Sequence, residues 1–500
     1  MLKKIRRIIA VIFLVSITML FLDFTGIFNK VLGWVAKVQL VPALLGVNIF
    51  AIVIVLLLTL LFGRVYCSTI CPLGVFQDGV SHLSSLRKGK KYRFRYSRAK
   101  SWLRYGFLTL FIVAIVAGIS VIVSLLDPYA AYGRIVSNFL APLYYFGNNI
   151  LSFFAERVNS YIFYSTEIWF KGWIIFGTTL LTLGIVSYLA WRNGRTFCNT
   201  VCPVGSFLGL LSKFSLFRIT FNKEKCTQCN ICERSCKSSC IDVKSMSIDY
   251  SRCVNCFNCI EKCKFDSMSY SPIKFHKKTI DRSSKSKNRM MTRRKALSSL
   301  SFLAAGTVLK AQQIVDRGDG GLAEIIDKKV PDRKTPIVPP GALSAQHMND
   351  KCTACQLCVS SCPNNVLRPS NKIVALMQPE MYFERGYCRP ECVECSKVCP
   401  TGAIQPMTVA DKSSISVGIA FWLKDLCLVN KDEIKCDNCQ RHCPTGAITL
   451  ISRDPDKKDS LKIPFVDKEL CIGCGACENL CPSRPYSAIY VEGNVRHHVI

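Results

Sequence analysis

The chain is poor in histidine and in acid, and it has no nucleotide-binding glycine pattern. Its 6 histidines all lie outside the long apolar runs, so the usual axial ligands of an intramembrane haem are missing. Neither a Gly-x-Gly-x-x-Gly turn nor a Gly-x4-Gly-Lys loop is present to cradle a nucleotide. Asp and Glu number 34 against 65 Lys and Arg, a net charge of +31 over 500 residues. A nucleic-acid-binding protein would gather such an excess on one folded face. Here it flanks apolar segments, and nearly all of it precedes residue 321. The partner this implies is the lipid bilayer, not nucleic acid.

Four apolar segments, near 5–24, 42–62, 102–126 and 172–191, are long enough to cross a hydrocarbon core of ~30 Å, which takes about 20 helical residues. The stretch "RKGKKYRFRYSRAK" at 87–100 has 8 basic residues and no acid, whereas 127–171 is balanced. The positive-inside rule then places the N-terminus, the 64–100 loop and the chain after 191 in the cytoplasm. The expectation is a multi-pass protein of the bacterial plasma membrane.

Cysteine is abundant, with 29 residues. "CTQCNICERSC" from Cys226 and "CVNCFNCIEKC" from Cys253 both read Cys-x2-Cys-x2-Cys-x3-Cys. This is the bacterial ferredoxin run, in which three thiolates hold one [4Fe–4S] cube and the fourth serves its neighbour. A zinc site would use separated pairs, and a disulfide framework needs no such triplets. By that rule one cluster takes Cys226, Cys229, Cys232 and Cys263, and the other Cys253, Cys256, Cys259 and Cys236. Cys240 is left over and reads as a small apolar residue. Lys237 and Lys264 stand where ferredoxins usually have proline.

The C-terminal part carries four further motifs. Two are regular: Cys352, Cys355, Cys358, Cys362 and Cys471, Cys474, Cys477, Cys481. In Cys388, Cys392, Cys395, Cys399 the first gap widens by one residue, and in Cys427, Cys436, Cys439, Cys443 it widens to eight. Together with the first pair they make about six [4Fe–4S] sites, a lost or three-iron cluster being the alternative for the two widened motifs.

Two phrases remain, "RVYCSTICPLG" at 64–74 and "RTFCNTVCPVG" at 195–205. A spacing of four stacks Cys67 on Cys71 and Cys198 on Cys202 along a helix face, and Pro72 and Pro203 stop or turn that helix. These four cysteines read as a seventh cluster, a redox-active dithiol or structural residues.

With these motifs, residues 1–270 resemble the NapH-type membrane iron–sulfur proteins of periplasmic nitrate reduction, whose core the NosR-type proteins share. Residues 290–490 resemble the NapG-type periplasmic polyferredoxins. The resemblance implies quinol-linked electron delivery to a periplasmic redox enzyme or another electron-transfer protein, with quinone as a further cofactor and a quinol dehydrogenase as one description of the activity. It also implies that outer and inner C-terminal motifs share ligands: Cys352, Cys355 and Cys358 with Cys481, and Cys388, Cys392 and Cys395 with Cys443. Sequential pairing would leave the ligand set unchanged. Rival readings are a redox-sensing or maturation accessory protein of a metalloenzyme, and a conduit fed by a cytoplasmic ferredoxin.

The expected layout is an α-helical membrane domain at 1–215, with four spans, followed by an α+β ferredoxin-like two-cluster domain at 216–272. A basic linker at 273–341 contains a short fifth anchor and a Pro-rich semi-rigid spacer at 330–341. A four-cluster ferredoxin-like domain fills 342–500. Residues 216–290 are expected in the cytoplasm. Arg293 and Arg294 precede a weakly apolar run at 297–311, the pattern of a twin-arginine address for exporting a domain already folded around its clusters. That puts 321–500 in the periplasm, ~30 Å of hydrocarbon away from the ferredoxin pair. The sequence shows no carrier across that layer, and a quinone bound between the spans is one bridge. Replacing Arg293 and Arg294 by lysine should trap the C-terminal domain inside. Protease added to spheroplasts should then cut wild-type 321–500 and spare the variant's; protection of both would place the domain in the cytoplasm.

Overall fold

Residues 2–272 and 326–500 are described in the computed structural model, apart from 24–25, 87–93, 159–162, 164, 167–171, 223, 455 and 457–459. Arg293, Arg294 and the 297–311 anchor lie outside the described residues. The segments Met1–Ile273 and Lys328–Ile500 belong to one compact unit.

Apolar runs make the first helices, and glycine, asparagine, aspartate and proline break them. In chain order they are α1 (Leu2–Leu22), α2 (Ile27–Lys37), α3 (Leu40–Leu45), α4 (Ile49–Phe62), α5 (Tyr66–Thr69), α6 (Pro72–Ser85), α7 (Ser101–Val116), α8 (Ser120–Leu126), α9 (Pro128–Ile135), α10 (Ala141–Arg157), α11 (Trp173–Asn193), α12 (Thr196–Thr200) and α13 (Pro203–Leu211). Among the described residues only α1 and α11, 21 residues each, are long and apolar enough to cross a membrane, spanning ~31 Å at 1.5 Å per residue.

The other two expected spans are interrupted, which corrects the picture of four continuous helices. Segment 42–62 breaks at Gly46–Asn48, where Val47 has φ 52° and Asn48 Oδ1 accepts the Ala51 N–H at 3.2 Å to start α4. Segment 102–126 breaks at Gly118, φ 68°. The breaks let short helical hairpins with polar turns, at Gln39 and Asp127, enter the bundle. Asp127 caps α9 by accepting from the N–H groups of Tyr129 and Ala130 at 3.1 and 3.2 Å, and Pro72, Pro128 and Pro203 each occupy a first helical turn, where a missing N–H costs nothing.

Residues 217–272 form a ferredoxin-like module. Antiparallel β1 (Phe217–Phe221) and β4 (Met268–Pro272) pair Ile219 with Tyr270. Between them, β2 (Ile241–Asp242) pairs with β3 (Ser247–Ile248), and α14 (Ile231–Ser235) and α15 (Asn258–Lys262) pack together. The C-terminal module repeats this economy with three two-stranded sheets. They are β5 (Leu367–Pro369) with β6 (Pro379–Met381), β7 (Ile415–Trp422) with β10 (Ile489–Val499), and β8 (Ile448–Ser452) with β9 (Lys462–Val466). The Pro-rich stretch expected to be a spacer is woven into this module. Ile337 and Val338 are buried, the Ile337 carbonyl accepts from the Met381 N–H at 2.8 Å, and Arg333 pairs with buried Glu478.

The two modules sit at opposite ends of the helices. At the start of α1, Lys3 pairs with Glu261; just past its end, Asn29 meets Ser361. α4 begins beyond Gly46, which lies against Pro400, and ends at Phe62, whose carbonyl accepts from Asn255. Near the start of α7, Arg104 donates to Ser251 Oγ at 2.8 Å, while Ser120 of α8 donates to the Val374 carbonyl at 3.4 Å. α11 has Thr178 near Met377 at its start, and just past its end the Arg195 N–H donates to the Lys237 carbonyl at 2.9 Å. Each of these four segments thus runs from one cysteine-rich module to the other.

Candidate iron–sulfur centres

The two CxxxCP phrases fold alike. α4 and α11 end at Gly63 and Gly194, both with positive φ (72° and 70°), a conformation glycine adopts without strain. An arginine follows each, then a one-turn helix holding the first cysteine, then a second helix capped by the other. Cys67 and Cys198 therefore lie in α5 and α12, whereas Cys71 and Cys202 have extended backbone and cap α6 and α13. The stacking expected of each pair on one continuous helix is corrected: the chain turns between the two sulfurs. All four cysteines are buried, and they are mutual electrostatic neighbours.

The arginines cross over. Arg64 donates to the Cys198 carbonyl at 3.3 Å and to Asn199 Oδ1 at 2.8 Å, and Arg195 donates to the Cys67 carbonyl at 2.8 Å. The repeated glycines make room for this exchange. A Cβ on Gly74 would stand 2.3 Å from the Cys67 carbonyl oxygen and 2.7 Å from Arg195, and one on Gly205 would stand 2.1 Å from the Cys198 oxygen and 2.8 Å from Arg64. Both halves thus bring the four cysteines into one neighbourhood.

The ferredoxin-type motifs surround cavities. Cys236, Cys253, Cys256 and Cys259 line one of about 320 Å³, and Cys226, Cys229, Cys232 and Cys263 another of about 290 Å³, the grouping the ferredoxin rule predicts. Cys240 also lines the first cavity, its sulfur 3.5 Å from that of Cys236. In the C-terminal module Cys352, Cys355 and Cys358 share a cavity of about 330 Å³ with Cys399, and Cys388, Cys392 and Cys395 one of about 350 Å³ with Cys362. Cys427, Cys436 and Cys439 line a third with Cys481, of about 400 Å³. Cys443 neighbours Cys471 and Cys474, next to Cys477. The outer-with-outer, inner-with-inner pairing implied by the resemblance is corrected to consecutive motifs. The reason is spatial: helices 357–360 and 394–398 pack together, as do 438–441 and 476–480.

The donor set fits a multi-iron cluster. Among the described residues no three Cys, His, Asp or Glu side chains converge to hold a metal ion directly; four sulfurs instead ring each of the five cavities, with Cys240 a fifth in one of them, the wider arrangement of a cube. Backbone N–H groups point at several sulfurs: Gln228 to Cys226 at 3.4 Å, Ala354 to Cys352 at 3.3 Å, Ile404 to Cys399 at 3.4 Å and Ala488 to Cys481 at 3.3 Å. Such donors favour the charged sulfur of a ligand. A bound [4Fe–4S] cluster supplies one-electron chemistry at a potential set by charge, hydrogen bonds to sulfur and solvent access.

Comparison with known proteins agrees with this geometry. A family model described as "4Fe-4S binding domain" matches residues 44–91 and 174–223, the two CxxxCP repeats. A "4Fe-4S dicluster domain" model matches 351–403, which takes in two consecutive motifs, and 434–484, which takes in Cys436, Cys439 and Cys443 with the motif from Cys471. The ferredoxin-type protein NapH of Haemophilus influenzae is 26% identical over 222 residues, 43% of this chain and 64% of that protein. The chain is thus similar to NapH-type iron–sulfur proteins. The methylamine utilization ferredoxin-type protein MauN of Paracoccus denitrificans is 28% identical over 196 residues, 39% of this chain and 54% of that protein. An uncharacterized protein of Methanocaldococcus jannaschii is 26% identical over 275 residues, 54% of this chain and 94% of its own length. No solved structure matches. These relatives and the cysteine motifs support an iron–sulfur electron-transfer protein.

Sequence reasoning passed over Asp78. This buried carboxylate takes Arg195 Nε at 2.9 Å, Arg6 at 2.9 Å and Lys237 Nζ at 3.4 Å. Lys237 at the proline position of the ferredoxin run thereby ties that module to the bundle. Burial pushes the Asp78 carboxyl up, but the surrounding cations outweigh it and hold it far below the usual carboxylate range. The signal was available, since Asp78 is the only acidic residue between 24 and 126. A carboxyl whose pKa is depressed on folding stabilises at every pH above its unfolded value and loses that contribution only in strong acid. Asp78→Asn should therefore destabilise the bundle by ~3–5 kcal/mol, the usual cost of stranding a buried cation. Thermal unfolding in detergent should show that loss at pH 8 and pH 5 alike; a loss confined to one pH would contradict the assignment.

Proposed function

We propose that the protein lies in the bacterial plasma membrane, takes electrons from the quinol pool and delivers them to a periplasmic redox enzyme. The observation that carries this reading is the attachment of two cysteine-lined modules to opposite ends of one helix bundle. The bundle surface supports it: Ile8, Val11, Ile12, Phe50, Leu57, Val116 and Leu181 are each more than half exposed, an apolar girdle expected of a lipid-facing surface. With the basic loop inside, the ferredoxin-like module faces the cytoplasm and the C-terminal module the periplasm. Six ferredoxin-type sites carry the electrons, and the bundle keeps water from the interior.

One observation favours a second donor. Cys229 is exposed, and Cys226 and Cys263 are partly so, so the outermost site is open to a soluble carrier. Lys225, Lys262 and Lys264 lie beside these cysteines in the chain, a surface suited to an acidic cytoplasmic ferredoxin.

Mixing the anaerobic, oxidised protein in detergent with a reduced menaquinol analogue should bleach the cluster absorbance. Bleaching by reduced ferredoxin alone would transfer the donor role to the cytoplasm, and bleaching by neither would contradict both donors.

A further inference from the structure

We infer that Cys67, Cys71, Cys198 and Cys202 together ligate one additional [4Fe–4S] cluster, that Arg64 and Arg195 balance its charge, and that this site joins the two modules electrically. The electrical role rests on the electron-transfer reading above; the ligation and the charge balance do not.

Charge points to a missing anion. Arg64 is fully buried, and among the described residues its partners are all neutral: Asn199 Oδ1, the Ser251 carbonyl at 3.1 Å, the Cys198 carbonyl and Cys67 Sγ at 3.8 Å. Arg195, also fully buried, shares the single Asp78 carboxylate with Arg6 and Lys237. Arg64 Nε and Arg195 Nη2 have no partner. Three cations on one carboxylate, plus Arg64 beside them, leave an excess of buried positive charge, which is costly in a low-dielectric interior. Neutral thiols do not remove that excess, and neither does a dithiol, because both of its redox states are uncharged. A cube held by four thiolates is a dianion when oxidised and a trianion when reduced, so it supplies the missing anion.

The sulfurs also have donors. Gln77 Nε2 reaches Cys198 Sγ at 3.3 Å, Arg195 Nη1 reaches the same sulfur at 3.9 Å, and the Gly205 N–H reaches Cys202 Sγ at 3.4 Å. Both arginines thus touch a cysteine sulfur.

Position supplies the electrical role. On one side, Arg64 holds the carbonyl of Ser251, two residues from Cys253, and Cys256 is an electrostatic neighbour of Asp78 and Lys237. On the other, Tyr66 precedes Cys67 and donates to Gln39 Oε1 at 3.0 Å, and the Leu40 N–H donates to Tyr66 at 3.1 Å. These residues are the tip of the α2–α3 hairpin, whose far end rests on Pro400. Asp127 is near both Tyr66 and Cys355. α9 completes the link, since the Tyr129 ring lies tilted against Phe21 with centroids 5.7 Å apart and a Cβ on Gly133 would stand 2.7 Å from the Cys355 carbonyl oxygen. Tyr66, Cys67, Cys71, Cys202, Tyr129, Cys355 and Cys358 belong to one continuous buried core. The apolar layer is therefore divided at the quartet. The step makes and breaks no bond: one electron enters from the Cys253 side and one leaves toward Cys355.

The test uses the full chain, purified without oxygen. Seven clusters give about 28 iron atoms per chain, and Cys67→Ser/Cys198→Ser should lose about four of them while keeping the signals of the ferredoxin-type sites. Equal iron in wild type and variant, near 24, overturns the ligation. If the double variant does not insert, Arg64→Gln decides: it should keep its iron and lower the midpoint potential of one cluster alone, because the reduced trianion loses a cation, whereas unchanged potentials overturn the charge balance. For the electrical role, reduced ferredoxin supplied at the Cys229 face should reduce the N-terminal pair at the same rate in both proteins. The C-terminal clusters should fill at least tenfold more slowly in the serine variant, and equal filling overturns the link. Failure of quinol to donate affects none of these readings.

Discussion

Two guanidiniums buried in an apolar bundle set the terms for the rest of this structure. Arg64 and Arg195 each leave their own repeat and reach the other's cysteine carbonyl, so neither repeat is complete alone. The exchange demands glycine at 74 and 205, where any side chain would collide with a carbonyl and with the incoming arginine. It demands Asp78, the carboxylate that answers Arg195, Arg6 and Lys237 together. It also brings four sulfurs into one neighbourhood. Satisfying buried cations, more than apolar packing, explains why this chain repeats a phrase of arginine, two cysteines, proline and glycine.

The same demand accounts for the broken helices. A bundle of four uninterrupted apolar spans would have no place for polar groups in its middle. Here the hairpins α2–α3 and α8–α9 reach in from the end that carries the C-terminal module, while α5–α6 and α12–α13 reach in from the end that carries the ferredoxin-like one. Their turns carry Gln39, Asp127, Tyr66 and the cysteines. Irregular backbone at such depth is tolerable because it is covered by protein on all sides: Tyr66, Asp127 and Tyr129 are all buried. The bundle shares one continuous core with the C-terminal module, while the ferredoxin-like module at the other end keeps a core of its own.

Much of this was legible in the sequence. The ferredoxin triplets at Cys226 and Cys253 predicted which sulfurs meet, because their spacing is dictated by the corners of a cube. The apolar runs predicted α1 and α11 to within three residues at each end. What the sequence did not show follows from contacts between distant segments. Hydropathy averages over a window, so it joined α3 to α4 and α7 to α8 across the breaks at Val47 and Gly118. Pairing of C-terminal motifs is a tertiary matter, and only the packing of 357–360 on 394–398 brings Cys399, not Cys481, to Cys352. The proline-rich stretch at 330–341 reads as a spacer until the burial of Ile337 and Val338 is seen. Lys237 looked like a simple departure from a ferredoxin pattern, yet it is a tie between module and bundle. The arginines were visible as repeated letters, but their exchange was not.

An iron–sulfur site held by one helix bundle, between two modules mounted on its opposite ends, would be directly visible. Single-particle cryo-electron microscopy of the intact protein, reconstituted anaerobically in a lipid nanodisc, tests it most directly. Two compact densities should lie outside opposite faces of the lipid disc, with six cuboidal peaks within them and a seventh peak inside the bundle bounded by Cys67, Cys71, Cys198 and Cys202. Both modules on the same face, or a quartet whose sulfurs enclose no density, would contradict it.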